Sequence, residues 1–274
     1  MRSMLFHKQS EFASGAVLTK EMLELLGSYP RQFLKLYCKP YSEGILCGLD
    51  YELRNDDFWL TSGAFWWQGQ VWMAVDDINV SAFLKDQIRD DGQYLILRWH
   101  PGEPVVKKGV TIQTLSLSIE TDSRYKGILE IGRFIWHDNR KLCLPQNWDE
   151  LVDSLDRGDY FDISNARQAA RGDGTFIGLI FRCLEGALRK KERRNSFEDA
   201  MLVQLQCQGF LSMDTLYTYV GTDADRMKRR ELLKAVDEEL RRKPELIVQT
   251  EAPQKIPDSE DRHDSPRPRG GMLD

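Results

Sequence analysis

Apolar residues follow a period of two between residues 41 and 75, where glycines separate short segments. Every second position in residues 45–53 is apolar, namely Ile45, Cys47, Leu49, Tyr51 and Leu53. This alternation is typical of a half-buried strand. The polar turn Asn55-Asp56-Asp57 and the pair Gln68-Gly69 each precede a further short apolar segment. The pattern therefore predicts three short strands joined by tight turns.

Further alternating segments extend this β-rich region to residue 136. Residues 94–99 and 127–136 each predict a strand. Residues 110–119 also alternate, but their phase changes near Thr114, which predicts a β-bulge there. All seven tryptophans lie between Trp59 and Trp148, and large rings favour the faces of sheets. We expect at least six strands, mostly antiparallel because the turns between them are short.

Helical signals precede the strands. Thr19 is a favourable N-cap for a helix that we expect to end at Gly27. Pro30 is well placed in the first turn of a second short helix. The chain is therefore expected to begin with a short helical pair. A further helix is predicted for residues 80–88, within the β-rich region.

The second half of the chain carries helical periodicity. Asn147 is predicted to cap a short helix over residues 148–155. Residues 176–188 place their apolar residues on one stripe of a helix. Ser196 is predicted to cap the next helix, with Asp199 in the reciprocal position of a capping box. Residues 223–243 are predicted to form the last helix.

The change of periodicity places a boundary near residue 145. Residues 249–274 carry prolines and scattered charges with few apolar residues, which is typical of a disordered tail. We therefore predict an α+β fold. It comprises a mostly antiparallel β-rich domain of residues 1–145, a helical domain of residues 146–248 and a disordered tail of residues 249–274.

Composition narrows the classes of function. The 274 residues are 41% hydrophobic and 30% charged, as in globular proteins that bury a core. The net charge of -5 disfavours a surface built throughout for nucleic acid. We find neither a run of about 18 apolar residues nor a long apolar N-terminal segment, so we expect no membrane span. The five dispersed cysteines are typical of reduced thiols in a cytoplasmic protein.

No catalytic or metal-binding motif stands out. The four histidines lack metal-ligand spacing, and no two cysteines form a C-x-x-C pair. The acidic pairs Asp56-Asp57, Asp76-Asp77 and Asp90-Asp91 lie at predicted turns, which aspartate favours for local hydrogen bonds. The loop of residues 171–175 lacks the Lys-Ser/Thr of a phosphate-binding loop. We therefore expect no cofactor, no metal ion and no enzymatic activity.

Two groups of residues are candidates for surface contacts. Three adjacent rings cannot all face one side of a strand, so at least one outward ring packs on a second sheet or contacts another protein. These rings are Phe65, Trp66 and Trp67. A basic segment of the helical half is predicted either to contact phosphates or an acidic partner, or to form a solvated helix end. Its cations are Arg189, Lys190, Lys191, Arg193 and Arg194.

The segments YSEGILCGLD, FWLTSGAF and WQGQVWMAV resemble an arrangement in β-rich attachment proteins of bacteriophage tails, baseplates and related contractile injection systems. Those proteins place a glycine-bounded strand before a strand that ends in Ser-Gly or Pro-Gly and a hairpin with another glycine. The matching positions here are Gly44, Gly48, Gly63 and Gly69. The resemblance covers residues 40–80, under a fifth of the chain. It implies a structural protein whose partners are other protein subunits.

Three hypotheses follow. The first is a non-enzymatic assembly or adaptor protein, because an aromatic cluster occurs without a catalytic motif. The second is a nucleic-acid-associated protein that binds through the basic segment, with a steep dependence on salt. The third is an enzyme whose site is assembled from residues distant in sequence.

Overall fold

Turns and glycines divide the first half of the chain into many short strands. The computed structural model describes residues 19–88, 92–107, 110–121, 129–137, 142–157, 160–221 and 227–242, together with Gly15 and Val17. Within these residues the strands are β1 (Gly44–Gly48), β2 (Tyr51–Arg54), β3 (Asp57–Leu60), β4 (Gly63–Trp67), β5 (Gln70–Ala74), β6 (Ile78–Asn79), β7 (Tyr94–Pro101), β8 (Val105–Lys107), β9 (Val110–Ile112), β10 (Leu115–Glu120), β11 (Glu130–Ile135), β12 (Arg167–Gln168) and β13 (Thr175–Phe176).

Helices lie at both ends of the described chain and within it. They are α1 (Lys20–Cys38), α2 (Val80–Gln87), α3 (Trp148–Arg157), α4 (Gly178–Lys190), α5 (Ser196–Gln208), α6 (Met213–Val220) and α7 (Arg229–Arg241). The helices predicted for residues 80–88 and 148–155 are confirmed. The last helix, predicted for residues 223–243, begins later, at Arg229, with Lys228 as its extended N-cap. The predicted tail of residues 249–274 lies outside the described residues.

Four sheets are formed by the described strands. The largest has the order β13-β12-β1-β4-β5, and two three-stranded sheets have the orders β10-β7-β11 and β2-β3-β6. Strands β8 and β9 pair with each other. Among these strands β1 and β12 are parallel, and all other pairs are antiparallel. The prediction of mostly antiparallel strands is therefore confirmed.

Two tight hairpins confirm the predicted turns. Asn55 and Asp56 both have positive φ, at 51° and 69°, and connect β2 to β3. Gln68 and Gly69 also have positive φ, at 48° and 73°, and connect β4 to β5. Positive φ at both central residues defines the type I′ turn, whose twist matches that of the paired strands. Asp57, predicted as part of the first turn, is the first residue of β3.

The alternating segment of residues 45–53 is two strands and not one. Gly48 and Leu49 have positive φ, at 61° and 53°, so the chain turns between β1 and β2, which belong to different sheets. A side chain at Gly48 would meet the carbonyl oxygen of Ser62, so the two backbones approach closely there. Alternation alone did not reveal this turn because the period of two continues through it.

The phase change near Thr114 is also not a β-bulge. Strand β9 pairs with β8, whereas β10 pairs with β7 in another sheet. Residues 113–114 therefore connect two strands, and the change of phase marks a change of partner. Irregular register occurs instead between Glu130 and Gly132 in β11 and between Ile45 and Cys47 in β1.

The N-terminal helical pair is one continuous helix. Oγ1 of Thr19 accepts a hydrogen bond of 3.2 Å from the backbone N–H of Met22, which confirms the predicted N-cap. Helix α1 then runs through Gly27 and Pro30 to Cys38. The predicted boundary between two helices at Gly27 and Pro30 is wrong, because the helical backbone continues on both sides of Pro30 although proline has no N–H to donate to the carbonyl four residues earlier.

The cap of α5 lies one residue before the predicted one. Oδ1 of Asn195 accepts from the N–H of Glu198 at 2.8 Å, and Oε2 of Glu198 accepts from the N–H of Asn195 at 3.0 Å. These two bonds form the capping box. The predicted pair, Ser196 and Asp199, lies inside the helix.

One hydrophobic core joins the N-terminal strands to the C-terminal helices. Phe161 packs against Phe58 and Phe134, with ring centroids 4.8 and 5.6 Å apart. The same core continues through Phe176 to buried leucines of α4–α7. The described chain thus has the predicted α+β fold, with antiparallel sheets first and helices after them. Independent folding of residues 1–145 and 146–248 stays a prediction.

Candidate protein-contact surface

Helix α1 exposes most of its apolar side chains. Of its 19 residues, Cys38 is buried. Phe33 is 59% exposed and Leu36 is 70% exposed. The other large apolar residues of α1 that are exposed are Leu23, Leu26, Tyr29, Leu34 and Tyr37. Contiguous exposed apolar surface of this kind marks interaction sites in folded proteins.

The apolar residues occupy one side of α1. At about 3.6 residues per turn they span about half of the circumference, and the charged residues occupy the other half. The apolar residues are Met22, Leu23, Leu25, Leu26, Tyr29, Pro30, Phe33, Leu34, Leu36 and Tyr37. We call this set the α1 surface. The charged residues are Lys20, Glu21, Glu24, Arg31 and Lys35.

The rest of the protein contacts the C-terminal end of α1, largely from its polar side. A cleft between α1 and the β4–β5 hairpin is lined by Gln32, Lys35, Leu36, Lys39, Trp66 and Gly69. Tyr37 stacks between Phe33 and Tyr41, with ring centroids 6.1 and 6.0 Å apart. A hydrogen bond to Tyr41 raises the pKa of Tyr37, and burial raises the pKa of Cys38. Most of the α1 surface therefore faces away from the protein body.

The three adjacent rings of β4 are all buried. Phe65 and Trp67 belong to the main core, whereas Trp66 lies on the opposite face of the strand and lines the cleft beneath α1. The outward ring is thus covered by a helix and not by a second sheet. A contact between these rings and another protein stays a prediction. The exposed apolar side chains lie on α1 instead.

The sheet face beneath α1 continues beyond the helix. Trp66 pairs across the hairpin with Val71, and Ala64 pairs with Met73, so these side chains share one face. Met73 is 75% exposed and Val75 is 81% exposed. Strand β5 lies at the edge of its sheet. Exposed apolar side chains therefore also occur at this edge of the sheet.

The basic segment is mostly occupied by internal ion pairs. Nη2 of Arg189 lies 2.6 Å from Glu185, and Nε of Arg194 lies 2.7 Å from Asp199. Lys191 pairs at 2.5 Å with the buried carboxylate of Glu198. Among the described residues, Lys190 and Arg193 are exposed and form no ion pair. Contact of the segment with phosphates or an acidic partner stays a prediction.

The cations of α7 are used in the same way. Lys234 and Arg230 both approach Asp156, at 2.6 and 3.6 Å, and hydrogen bonding to Lys234 lowers the pKa of Asp156. Arg229 is half-buried, donates to the carbonyl of Thr175 and lies 5.1 Å above the ring of Phe176. Burial lowers the pKa of Arg229 to about 10. These contacts hold α7 to its neighbours.

The acidic pairs and the loop of residues 171–175 were the other candidates for a catalytic or binding site. Asp77 accepts from Arg54 at 2.6 Å and from the N–H of Ser62 at 2.7 Å, and both bonds lower its pKa. Residues 171–175 lead into β13 and not directly into a helix. Among the described residues no group of His, Cys, Asp and Glu side chains is placed to hold a metal ion. Asp90-Asp91 lies outside those residues.

The likeness of this chain to known proteins is weak. No family model matches the chain, and no curated protein matches it. Among solved structures the chain is similar to the crystal structure of TssK, with 10% sequence identity and a TM-score of 0.36 over 85% of this chain and 67% of that chain. This is a weak structural resemblance. In the described part of the chain, no helix is long and apolar enough to span a membrane.

Proposed function

We propose that this chain is a non-enzymatic assembly protein that binds other protein subunits through the α1 surface. One observation carries the proposal: an amphipathic helix directs its apolar half away from the protein to which it is attached. Each square ångström of apolar surface removed from water stabilises an assembly by about 25 cal/mol. A partner that covers this half of the helix would therefore gain binding energy that the isolated chain forgoes.

The assembly we propose is of the phage-tail or contractile-injection type, as a baseplate component or an adaptor. The support is the resemblance of residues 40–80 to β-rich attachment proteins. In this proposal the glycine-bounded strands β1, β4 and β5 form the platform that carries α1. Their hairpin covers the C-terminal end of the helix through Trp66.

Binding to nucleic acid is the alternative, and the ion pairs described above disfavour it. A phosphate that bound the basic segment would have to displace Glu185 from Arg189 or Asp199 from Arg194. Lys191 would in addition have to leave the buried Glu198 without its charge partner, which is costly. Lys190 and Arg193 alone give few phosphate contacts, so any binding should be weak and steeply salt-dependent.

A photo-crosslinking amino acid at position 33 tests the proposal in the native cell. Phe33 lies in the middle of the α1 surface, so we expect discrete covalent adducts with protein. The matched control is position 203, because Val203 on α5 is exposed to nearly the same extent, 58% against 59%. Adding Leu26→Asp to the position-33 protein should abolish the adducts.

Equal adducts at both positions, or none at position 33, would overturn the proposal. A binding assay with labelled DNA and RNA at several salt concentrations tests the alternative in parallel. Tight binding that is lost on replacing Lys190 and Arg193 by glutamine would favour the nucleic-acid hypothesis instead.

A further inference from the structure

A groove runs between α4, the start of α3 and the C-terminal end of α7, with a volume of about 340 Å³. Helix α4 lines it with Arg182, Cys183, Gly186, Ala187, Lys190 and Lys191. Beyond Arg182 the groove opens into a second depression of about 490 Å³, which reaches Leu53 of β2. The two depressions follow α4 from Leu179 to Lys190, about 17 Å along its axis. We call them together the α4 groove, which is long enough for a short extended segment of chain.

Gly186 leaves the middle of the α4 groove open. It lies four residues after Arg182 and four residues before Lys190, so the three residues follow one another along one side of the helix. A Cβ added at Gly186 would meet nothing within 4 Å outside its own helical turn. Ala187 and Leu240 border the same space. The middle of the groove can therefore accept an apolar side chain.

Two cations of the α4 groove are available to a ligand. Within the described part of the chain, Lys190 is exposed and forms no ion pair. Arg182 lies 3.8 Å from Asp50, and both side chains are more than half exposed, so this pair contributes little stability. Lys191, in contrast, is committed to the buried carboxylate of Glu198.

The facing wall of the groove is neutralised by its own contacts. Arg241 donates to Asp237 at 2.8 Å and to Asp149 at 2.7 Å. The indole N–H of Trp148 also donates to Asp237, at 3.0 Å. These bonds join α3 to α7 and satisfy both carboxylates. The charge that remains for a ligand is therefore positive and lies on α4.

The spacing of the two cations fits an extended peptide. Arg182 and Lys190 are about 12 Å apart along the helix axis. In an extended chain every second side chain faces the same way, and residues four positions apart are about 13 Å apart. Acidic side chains at the first and fifth positions would meet the two cations, and an apolar side chain at the third position would lie over Gly186. A phosphate backbone carries charge at every nucleotide and has no apolar group for this space, so it matches the groove less well.

We propose that the α4 groove binds an extended acidic segment of another protein, with acidic residues at its first and fifth positions and an apolar residue at its third. The contact is made through charge and one apolar side chain. It is separate from the α1 surface, so it goes beyond the proposed function and each site can fail without the other.

Fluorescence anisotropy with the full chain tests the binding. The probe is a labelled synthetic peptide with blocked ends, Gly-Glu-Thr-Leu-Thr-Glu-Gly. We expect saturable binding that weakens as salt is added, because salt screens exposed charges. The control peptide Gly-Glu-Glu-Thr-Leu-Thr-Gly has the same composition and charge. It should bind roughly fivefold more weakly, since only one of its carboxylates can reach a cation at a time.

Charge reversal on the protein locates the site. Lys190→Glu should weaken binding of the first peptide roughly tenfold at low salt, because repulsion replaces attraction. Arg193→Glu is the matched control: Arg193 is also exposed and without an ion pair in the described chain, but it does not line the groove. This control should leave the affinity nearly unchanged. Equal losses in the two variants would show diffuse attraction to the basic segment and would overturn the site.

Filling the groove tests it without changing any charge. Gly186→Leu should abolish peptide binding, because the new side chain occupies the space over the helix. Leucine is a better helix former than glycine, so the fold should be retained, and circular dichroism verifies this. Unchanged binding in Gly186→Leu, or no saturation of the wild type up to about 1 mM peptide, would overturn the proposal.

The α1 surface serves as an internal reference. Leu26→Asp should leave peptide binding unchanged, because Leu26 lies on α1. Peptide binding by a chain whose position-33 crosslinker forms no adducts would overturn the proposed function and leave the α4 groove standing. Adducts at position 33 without any peptide binding would do the reverse.

Discussion

The hydroxyl of Tyr219 donates a hydrogen bond of 2.6 Å to Oε1 of Glu198, the same oxygen that Nζ of Lys191 approaches at 2.5 Å. Glu198 is 1% exposed. Its other oxygen caps α5 by accepting from the N–H of Asn195. Burial raises the pKa of Tyr219, so its hydroxyl stays protonated and remains a donor. A buried carboxylate is tolerated here because three donors satisfy it.

Lys191→Met should lower the free energy of unfolding by about 3–5 kcal/mol, because it leaves the charge of Glu198 buried without a cation. Urea denaturation measures the change. Lys190→Met, one residue away and exposed, should stay within about 0.5 kcal/mol of the wild type. Similar losses in the two variants would mean that the ion pair contributes little.

Gly132→Ala should destabilise the protein by about 1–3 kcal/mol, the usual cost of overpacking a core. An added Cβ would meet Phe161, whose ring lies at the centre of the aromatic core. Thermal denaturation of the variant and the wild type measures the change in stability. Gly186→Ala in α4 is the matched control, since no atom lies within 4 Å of the added Cβ. That control should be neutral or stabilising by up to about 1 kcal/mol.

Pro30→Ala should stabilise α1, because alanine restores the hydrogen bond from residue 30 to the carbonyl of Leu26 in a continuous helix. The intrinsic helix preference changes by about 3 kcal/mol. Hydrogen exchange of the α1 amides measures the effect locally, and we expect slower exchange on both sides of residue 30.

The same substitution distinguishes one helix from two. If residue 30 began a separate helix, its missing N–H would cost little, and Pro30→Ala would leave exchange nearly unchanged. Gly27→Ala serves as the control, because its added Cβ meets nothing within 4 Å. Gly27→Ala should slow exchange less than Pro30→Ala, because the helix preference changes by about 1 kcal/mol only.

Cys183 should resist alkylation at a pH where exposed cysteines react. Burial raises its pKa from 9.0 to about 11, so near pH 9 it remains a protonated thiol in the folded protein. Iodoacetamide followed by mass spectrometry should find Cys47, Cys143 and Cys207 modified first, since all three are exposed. Rapid labelling of Cys183 in folded protein would contradict this burial.

The raised pKa of Cys183 also predicts a dependence of stability on pH. The contribution is fully present below pH 9 and is lost as the pH rises toward 11, because the unfolded thiol ionises first. The pH dependence of unfolding should therefore be shallower in Cys183→Ala than in the wild type over this interval. Identical slopes would show that the thiol ionises equally in both states.

Local signals in the sequence predicted most elements correctly. The two hairpins follow from Asn55-Asp56 and Gln68-Gly69, whose residue types accept positive φ. Helix α3 follows from Asn147, whose Oδ1 accepts from the N–H of Glu150 at 3.0 Å. These features depend on neighbouring residues alone, so the sequence contains all the information that they need.

The sequence predicts an element wrongly where two local arrangements of neighbouring residues are almost equally favourable. Asn195 and Ser196 are both favourable N-cap residues, and an acidic residue, Glu198 or Asp199, lies three positions after each of them. The burial of Glu198 against Tyr219 selects the first pair, and this depends on residues 21 positions apart. The candidate surface was missed for a similar reason. The predicted boundary at Gly27 and Pro30 divides α1 in two, so the sequence pattern does not show the α1 surface as one stripe.

Strand β12 gives β1 its parallel neighbour, through Ile45 and Gln168. A ribosome therefore has to synthesise more than a hundred further residues before β1 can complete its pairing. Until then the nascent chain presents an open strand edge, onto which another extended chain could pair. Fragments that end before residue 167 would keep that edge permanently, so aggregation in such fragments would report the missing strand and not an intrinsic property of the β-rich half.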